Sequence, residues 1–553
     1  VQKKNRSKGK PYTNVSEVPR LSCASWFRQA RRQTTCRPRA ASGHFSRASP
    51  CRHPRRRPSP FRLAGLMPRN RPFAAPRVSA RARVLPVQFV GAAVLALLSG
   101  SAAALPSAAL RGPTARQLLD HNSDWFRTEL TGGKHNALDS LRLIDDQVIA
   151  TTCLPNDAFV TVAASGKTFQ LGNAPFVFAG WNQWEVLEAA SDAPAPFRHL
   201  PLPGKEHIVR QMNEAVSVGL KVMRMWAHTI TDGHALQPTP GVFDEQILRG
   251  LDFVLHEAGK RGLKIILAIA DNWYPVGGVD NYVKWSPTAT KHKDFFTDET
   301  AISLFLDTHK FLANRVNTLT GIAYKNDPTI MAWNLANEAR CQGCASDAMQ
   351  SWIERTCASF KQNDPNHLVG IGTEGFYGPD SGLLSANPGL GGSTWASKEG
   401  QDFLQNADTP CVDFVGVHVW PDDWNFPGTS FQKQFIKQRI ESVATALPNG
   451  RKPFVLEEFG KTVYSTETNE VKLNAGGGRR TPTRVEYFKA GYEVSEAAAT
   501  DGTLAGTMFW HWYDRGVGPG KYGVQSHDDV FPVIVEHAKT MNQISNTPTE
   551  CPV

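Results

Sequence analysis

A chain of 553 residues has room for two or three ordinary domains or for one large barrel with extensions. Its net charge of +10 is split: before Asp120 stand 24 Lys+Arg against one acid, Glu17, which leaves 37 basic and 50 acidic residues after it. The remainder is acidic, so the overall positive charge is no argument for nucleic-acid binding, and only the basic leading segment keeps that class open.

That leading segment reads as processing sequence. Residues 1–66 are basic and of low complexity. Residues 67–104 have the order of a secretory signal. A basic stretch (Arg69, Arg71, Arg77, Arg81, Arg83) precedes the apolar "VLPVQFVGAAVLALLSGSAAA", in which Ala102-Ala103-Ala104 offers an A-x-A cleavage site. The expectation is secretion. The uncharged span from Val84 to Leu110 is also long enough for a membrane anchor, the alternative reading. An Arg/Ser-rich transit peptide fits the apolar core less well. Residues 105–157 read as an N-terminal extension.

Six cysteines follow the leading segment: Cys153, Cys341, Cys344, Cys357, Cys411 and Cys551. An even number behind a secretion signal suggests disulfides. Cys341-x-x-Cys344 reads as a local disulfide in preference to half a zinc site or a redox pair, because no second CxxC or spaced His pair accompanies it. No N-x-[ST] sequon stands after the signal.

From residue 158 to 553, apolar strand-like runs alternate with amphipathic helical patterns. "FVTVAASGKTFQLGNAPF" predicts a hairpin with a Ser-Gly turn that closes a barrel floor. Eight strands are then predicted at 176–184, 221–228, 264–273, 330–338, 368–376, 414–421, 454–460 and 506–512. Helical patterns between them include 245–262 and 301–321. Near-continuous apolar strands suit a parallel sheet covered on its outside. Eight such units predict an α/β fold, the (β/α)8 TIM barrel, with a small N-terminal β-hairpin extension.

Polar residues crowd the C-terminal ends of these strands, where barrel active sites are built. They are Arg224 and Trp226, Asn272 and Trp273, Asn337 and Glu338, Glu374, His418 and Trp420, Glu457 and Glu458, and Trp510, His511 and Trp512. Taken singly, a terminal Glu faces water and a strand Trp is core; it is the coincidence across strands that points to a site. Carboxylates on the fourth and seventh strands with aromatic rings between them suit glycoside hydrolysis, which needs an acid for the leaving oxygen and a carboxylate for the anomeric carbon. The histidines do not pair at metal-ligand spacing, and no Gly-rich phosphate loop is present, so neither metal nor cofactor is expected.

"FVFAGWNQW", "VMRMWAH", "DPTIMAWNLANEARCQGC", "HLVGIGTEGFYG", "VHVWPDDW", "PFVLEEFG" and "GTMFWHW" together resemble glycoside hydrolase family 5, in particular its eukaryotic, fungal-type endo-β-1,4-mannanases, over residues 158–545. The resemblance implies Glu338 as general acid/base and Glu458 as nucleophile, with Arg224 beside Glu458. It implies Asn337 on a sugar 2-hydroxyl, His418 in the surrounding network and Trp510 as the floor under the sugar. Trp184, Trp226 and Trp273 would be walls or platforms, and Glu374 matches a further position. Two residues depart from the family pattern: Trp420 stands where a Tyr is usual, and Ala339 follows Asn-Glu in place of Pro. The implied function is a secreted, retaining endo-β-1,4-mannanase acting on mannan, glucomannan or galactomannan. It would be a monomer with no nucleic acid and no stable protein partner. A β-glucan substrate is the runner-up, and a carbohydrate-binding protein without turnover is the reading from another class.

Overall fold

The computed structural model describes residues 154–546, apart from 156, 193–203, 232–233, 274–277, 390–394, 425, 427, 449, 463–481 and 513–521. The upstream segment, the signal, most of the 105–157 extension, Cys153 and Cys551 therefore lie outside the described residues. Among those described, no helix is long and apolar enough to cross a membrane.

Three short strands come first: β1 (Val160–Val162), β2 (Phe169–Leu171) and β3 (Ala174–Phe176). β1 and β2 form the expected hairpin, pairing Val160 with Leu171. The structure adds β3, because Gly172 takes φ +59° and turns the chain back at once, pairing Phe169 with Phe176. A hairpin thus becomes a three-stranded antiparallel sheet.

The eight predicted barrel strands are all present but shorter than read: the run 330–338 ends as a strand at Asn334, so Asn337 and Glu338 lie beyond it, and the run 368–376 ends at Gly370. They are β4 (Phe178–Asn182), β5 (Val222–Trp226), β8 (Lys264–Ala268), β9 (Ile330–Asn334), β10 (Leu368–Gly370), β11 (Val415–Val419), β12 (Phe454–Phe459) and β13 (Gly506–Phe509). A two-residue pair, β6 (Ile230–Thr231) and β7 (His234–Ala235), lies between β5 and β8. The large sheet runs β10-β9-β8-β5-β4-β13-β12-β11, with every pair parallel. Its two edges meet where Asp413 N donates to Val369 O at 2.9 Å and Val369 N donates to the Asp413 carboxylate at 2.7 Å. A ring of eight parallel strands is the TIM barrel.

Alternation along each strand sorts its side chains between two environments. In β5, Met223 and Met225 join the packing between barrel and helices, while Val222 joins the interior. That interior floor is apolar: Val222, Ile266, Ala332 and Val455 from the barrel meet Val160, Phe169, Leu171 and Phe176 from the small sheet. Two positions above Val222 the same strand carries Arg224, fully buried. The floor is greasy and the layer above it is ionic.

The outer helices begin where the sequence offers caps. Asp244 accepts from Gln246 N and Ile247 N to start helix Glu245–Lys260, and Thr483 with Glu486 forms a capping box ahead of helix Arg484–Thr500. The pattern at 301–321 overran the helix, which ends at Asn314. Arg315 turns away to hold buried Asp252 at 2.9 and 2.7 Å, and Asn317 donates to Asp252 O at 3.0 Å. A buried charge needing partners overrides the helical pattern there.

Candidate active site

The polar layer begins with Arg224. Its Nε donates to Asn334 Oδ1 at 2.7 Å, and its Nη1 to Asn182 Oδ1 at 3.1 Å and to Glu458 Oε1 at 2.5 Å. Nη2 donates to Asn337 Oδ1 at 2.8 Å. One guanidinium therefore fixes groups from β4, β9, β12 and the turn after β9. Its fork geometry suits that task in a way a lysine ammonium would not. Asn337 is held from its other side, donating through Nδ2 to Asp271 Oδ1 at 3.0 Å, while Trp226 Nε1 donates to Asp271 Oδ2 at 3.0 Å.

Two local irregularities aim the carboxylates. The pairing of β11 with β12 slips between Val417 and His418, so that His418 lies opposite Glu458. Gly416 makes the neighbouring space, since a Cβ there would sit 2.2 Å from Glu457 Oε2. After β9, Glu338 adopts φ +48°, a left-handed conformation that a side chain rarely takes. It is clamped there by Asn337 N donating to Ala270 O (2.7 Å) and Glu338 N donating to Gly372 O (2.6 Å).

Glu338, His418 and Glu458 place one ligand-type atom each within 4.8 Å of the others, all buried. His418 sits among three carboxylates. Its Nδ1 is 2.9 Å from Glu338 Oε1 and 3.4 Å from Glu458 Oε2, and its Nε2 is 3.3 Å from Glu457 Oε2. Two indoles complete the cage of Glu338: Trp273 Nε1 donates to Oε2 at 2.6 Å and Trp420 Nε1 to Oε1 at 3.1 Å. The three residues are metal-ligating types, yet the Arg224 guanidinium already supplies positive charge at Glu458, so a cation would meet repulsion.

Burial alone would push the His418 pKa down, but Glu458, Glu338 and Glu457 push it up, to about 10. Burial pushes Glu458 up to about 8, aided by the charges of Glu338 and Glu457 and opposed by His418 and Arg224. Glu338 runs the other way: burial would raise it, but the His418 hydrogen bond and charge, with Arg340, bring it down to about 2. Burial also raises Asp271, to about 7, against hydrogen bonds from Asn337, Trp273 N and Trp226. Burial thus favours the protonated form of Glu458, while the contact with His418 favours the ionised form of Glu338. The groups titrate together, and His418 touches both ends.

Arg224, Asn337, Glu338, His418, Trp420, Glu458, Trp226 and Trp273 are therefore brought together. Trp510 is half-buried, with its ring centroid 5.5 Å from Trp226 and 6.0 Å from Trp420, and the Trp510–His511 peptide bond is cis. Trp184 stands half-buried two residues beyond β4. Glu374 is fully buried one step back from the cleft: Arg340 Nε donates to it at 2.7 Å and Gln401 Nε2 at 2.5 Å. It holds Arg340, whose guanidinium lies 4.8 Å from the exposed Trp273 ring. Cys341 and Cys344 are disulfide-bonded just beyond Arg340, and a second disulfide joins Cys357 to Cys411.

Sequence reasoning missed Asp271, Asn182, Asn334 and Arg340 as parts of the site. For the first three the signal was a polar residue embedded in an apolar strand run, which a parallel barrel strand tolerates only where it finds a partner.

Residues 157–525 match the model described as glycoside hydrolase family 5 β-mannosidase-like. Mannan endo-1,4-beta-mannosidase 7 of Arabidopsis thaliana is 34% identical over 413 residues, covering 72% of this chain and 86% of that protein. Mannan endo-1,4-beta-mannosidase 1 of Solanum lycopersicum is 30% identical over 408 residues, covering 72% and 92%. Among solved structures, the endo-1,4-beta-mannanase from Rhizomucor miehei superposes with a TM-score of 0.55 at 25% identity, over 70% of this chain and all of that one. The endo-beta-1,4-mannanase from Thermotoga petrophila does so with 0.55 at 26%, over 66% and 77%. These likenesses run to plant as well as other enzymes, so they establish the family and not its fungal-type branch.

Proposed function

This chain belongs to the β-mannosidase-like glycoside hydrolases of family 5, and from that premise we propose that it is a retaining endo-β-1,4-mannanase acting on mannan, glucomannan and galactomannan. One observation carries the mechanism: an oxygen of Glu338 lies within 4.8 Å of one of Glu458. Inverting hydrolysis needs a wider gap, with a water between sugar and base, whereas the close spacing suits direct attack by one carboxylate.

In the first step Glu458 attacks the anomeric carbon, forming a glycosyl ester, and Glu338 gives its proton to the departing oxygen. In the second, Glu338 takes a proton from water, the water oxygen attacks the anomeric carbon, and the ester bond to Glu458 breaks. The reactive state needs a proton on Glu338 and the charge on Glu458. Arg224, 2.5 Å from Glu458 Oε1, favours that charge. His418, in reach of both carboxylates, provides the path for the proton. Asn337 is oriented by Arg224 and Asp271 to offer its amide to a 2-hydroxyl. Trp510 is the candidate floor, and Trp273, with Arg340 against it, a candidate platform on the exposed side.

Secretion is part of the proposal. It is supported by the signal-like residues 67–104 and by two disulfides, which suit an oxidising compartment. The test compares release of reducing ends from galactomannan, glucomannan and carboxymethyl cellulose by the protein and by Glu458→Ala. Mannan cleavage that disappears in the variant supports the reading. Preferential cleavage of the cellulose derivative, or binding without turnover, overturns it.

A further inference from the structure

Glu338 receives an unusual set of donors for a group that must carry a proton to the leaving oxygen. Both of its oxygens face indole N–H groups, Trp273 on Oε2 and Trp420 on Oε1. An indole N–H only donates and never titrates in the working range, so each such contact favours the carboxylate over the carboxylic acid. The two indoles differ in permanence. Trp273 is 39% exposed at the cleft surface, where a bound sugar would cover it, while Trp420 is 9% exposed and enclosed. Its ring packs edge to face on Trp510 at 6.0 Å and on Tyr522 at 4.7 Å. A Cβ at residue 460 would lie 3.1 Å from its Cζ3, so Gly460 leaves the indole room to lie against β12.

We propose that Trp420 is a positioning residue for the acid/base. Its ring N–H holds Glu338 Oε1 beside His418 and biases Glu338 toward the ionised form, the form that activates water in the second step. The proposal rests on the assignment of Glu338 as acid/base made above. The charged and titratable groups facing Glu338 are His418 from β11, Glu458 from β12, Arg340 from its own loop, Glu374 beyond β10 and Asp271 beyond β8. None of them is removed when the indole is replaced by a phenyl ring, so a change in titration on that substitution reports the N–H.

The test follows kcat/KM against pH for the full chain and for Trp420→Phe, with mannopentaose and with a dinitrophenyl β-mannobioside whose leaving group needs no proton. Loss of a donor to the ionised form destabilises that form and raises the pKa. The limb of the mannopentaose profile that Glu338 sets is therefore expected to move up by about one pH unit in Trp420→Phe. With the activated substrate, whose leaving group takes no proton, the kcat/KM profile should show no limb set by Glu338 in either protein. A Trp420→Phe enzyme with unaltered melting temperature and an unmoved limb would overturn the assignment. If that variant fails to fold, Trp420→Leu, which has no side-chain donor at all, must show the same upward movement, and an unmoved limb there is equally fatal. Failure of the unaltered protein to cleave either substrate would instead remove the underlying enzyme assignment, a result distinct from active enzymes with coincident limbs.

Discussion

The floor and the mouth of this barrel are built on the same eight strands by opposite physics. At the floor, Val160, Phe169, Phe178, Ile266, Phe414 and Val455 exclude water with apolar surface alone. At the mouth, Arg224, Glu457, Glu458, His418 and Glu338 are buried just as completely, and each is tolerable only because another is beside it. Burial of apolar area stabilises, whereas burial of charges is at best offset by their mutual attraction. The floor therefore holds the ring that the mouth strains, and the two regions should respond oppositely to substitution.

The sharpest break in that comparison is Glu458→Gln. It keeps the shape of the side chain and removes the nucleophile, so hydrolysis of galactomannan should fall by about 10⁴-fold or more, measured as reducing ends released. The fold should persist by circular dichroism. Phe169→Ala should do the reverse. Its ring is fully buried and packs on Phe178 at 6.2 Å and Phe414 at 5.7 Å. Loss of about 3–5 kcal/mol of stability in denaturant unfolding is expected, with kcat nearly unchanged below the melting transition.

A smaller effect sharpens the contrast, because the floor end also carries misplaced charge. Lys221, just ahead of β5, is buried, and its amine meets no hydrogen-bond partner among the described residues. Burial brings its pKa down to about 7. The unfolded chain binds that proton up to about pH 10.5, so the penalty is complete below pH 7 and fades as pH rises toward 10.5. Lys221→Met should raise the melting temperature, by more at pH 6 than at pH 9. Neighbouring Lys264 should gain less from the same change, since its Nζ already donates to Ala158 O at 3.0 Å and Pro328 O at 2.8 Å.

How far the sequence reveals each region follows from the same contrast. The strands were legible because alternation and apolar runs are local properties, and so was the grouping of Arg224 and Glu458 on barrel strands with Asn337 and Glu338 just past one, although the strand read to 338 ends at Asn334. The β3 strand escaped because a single residue, Gly172 at φ +59°, decides it. Asp271 and Arg340 escaped because their importance lies in partners distant in the chain, Asn337 and Trp226 for one and Glu374 for the other. The departure at Trp420 was visible only as an exchanged ring. The geometry puts the indole N–H on Glu338. No spacing rule contains that information, since it depends on which way a buried ring lies.

The left-handed backbone at Glu338 bears on how the site could be repurposed. Where φ is +48°, an alanine keeps the conformational penalty but glycine does not. Glu338→Gly should thus open a cavity on an unstressed turn, with Trp273, Trp420 and His418 left as a ready set of donors for a small anion. Added azide or formate should then restore turnover of the dinitrophenyl glycoside, more effectively than in Glu338→Ala. The conformation that aims the carboxylate would make its absence the most useful vacancy in the molecule.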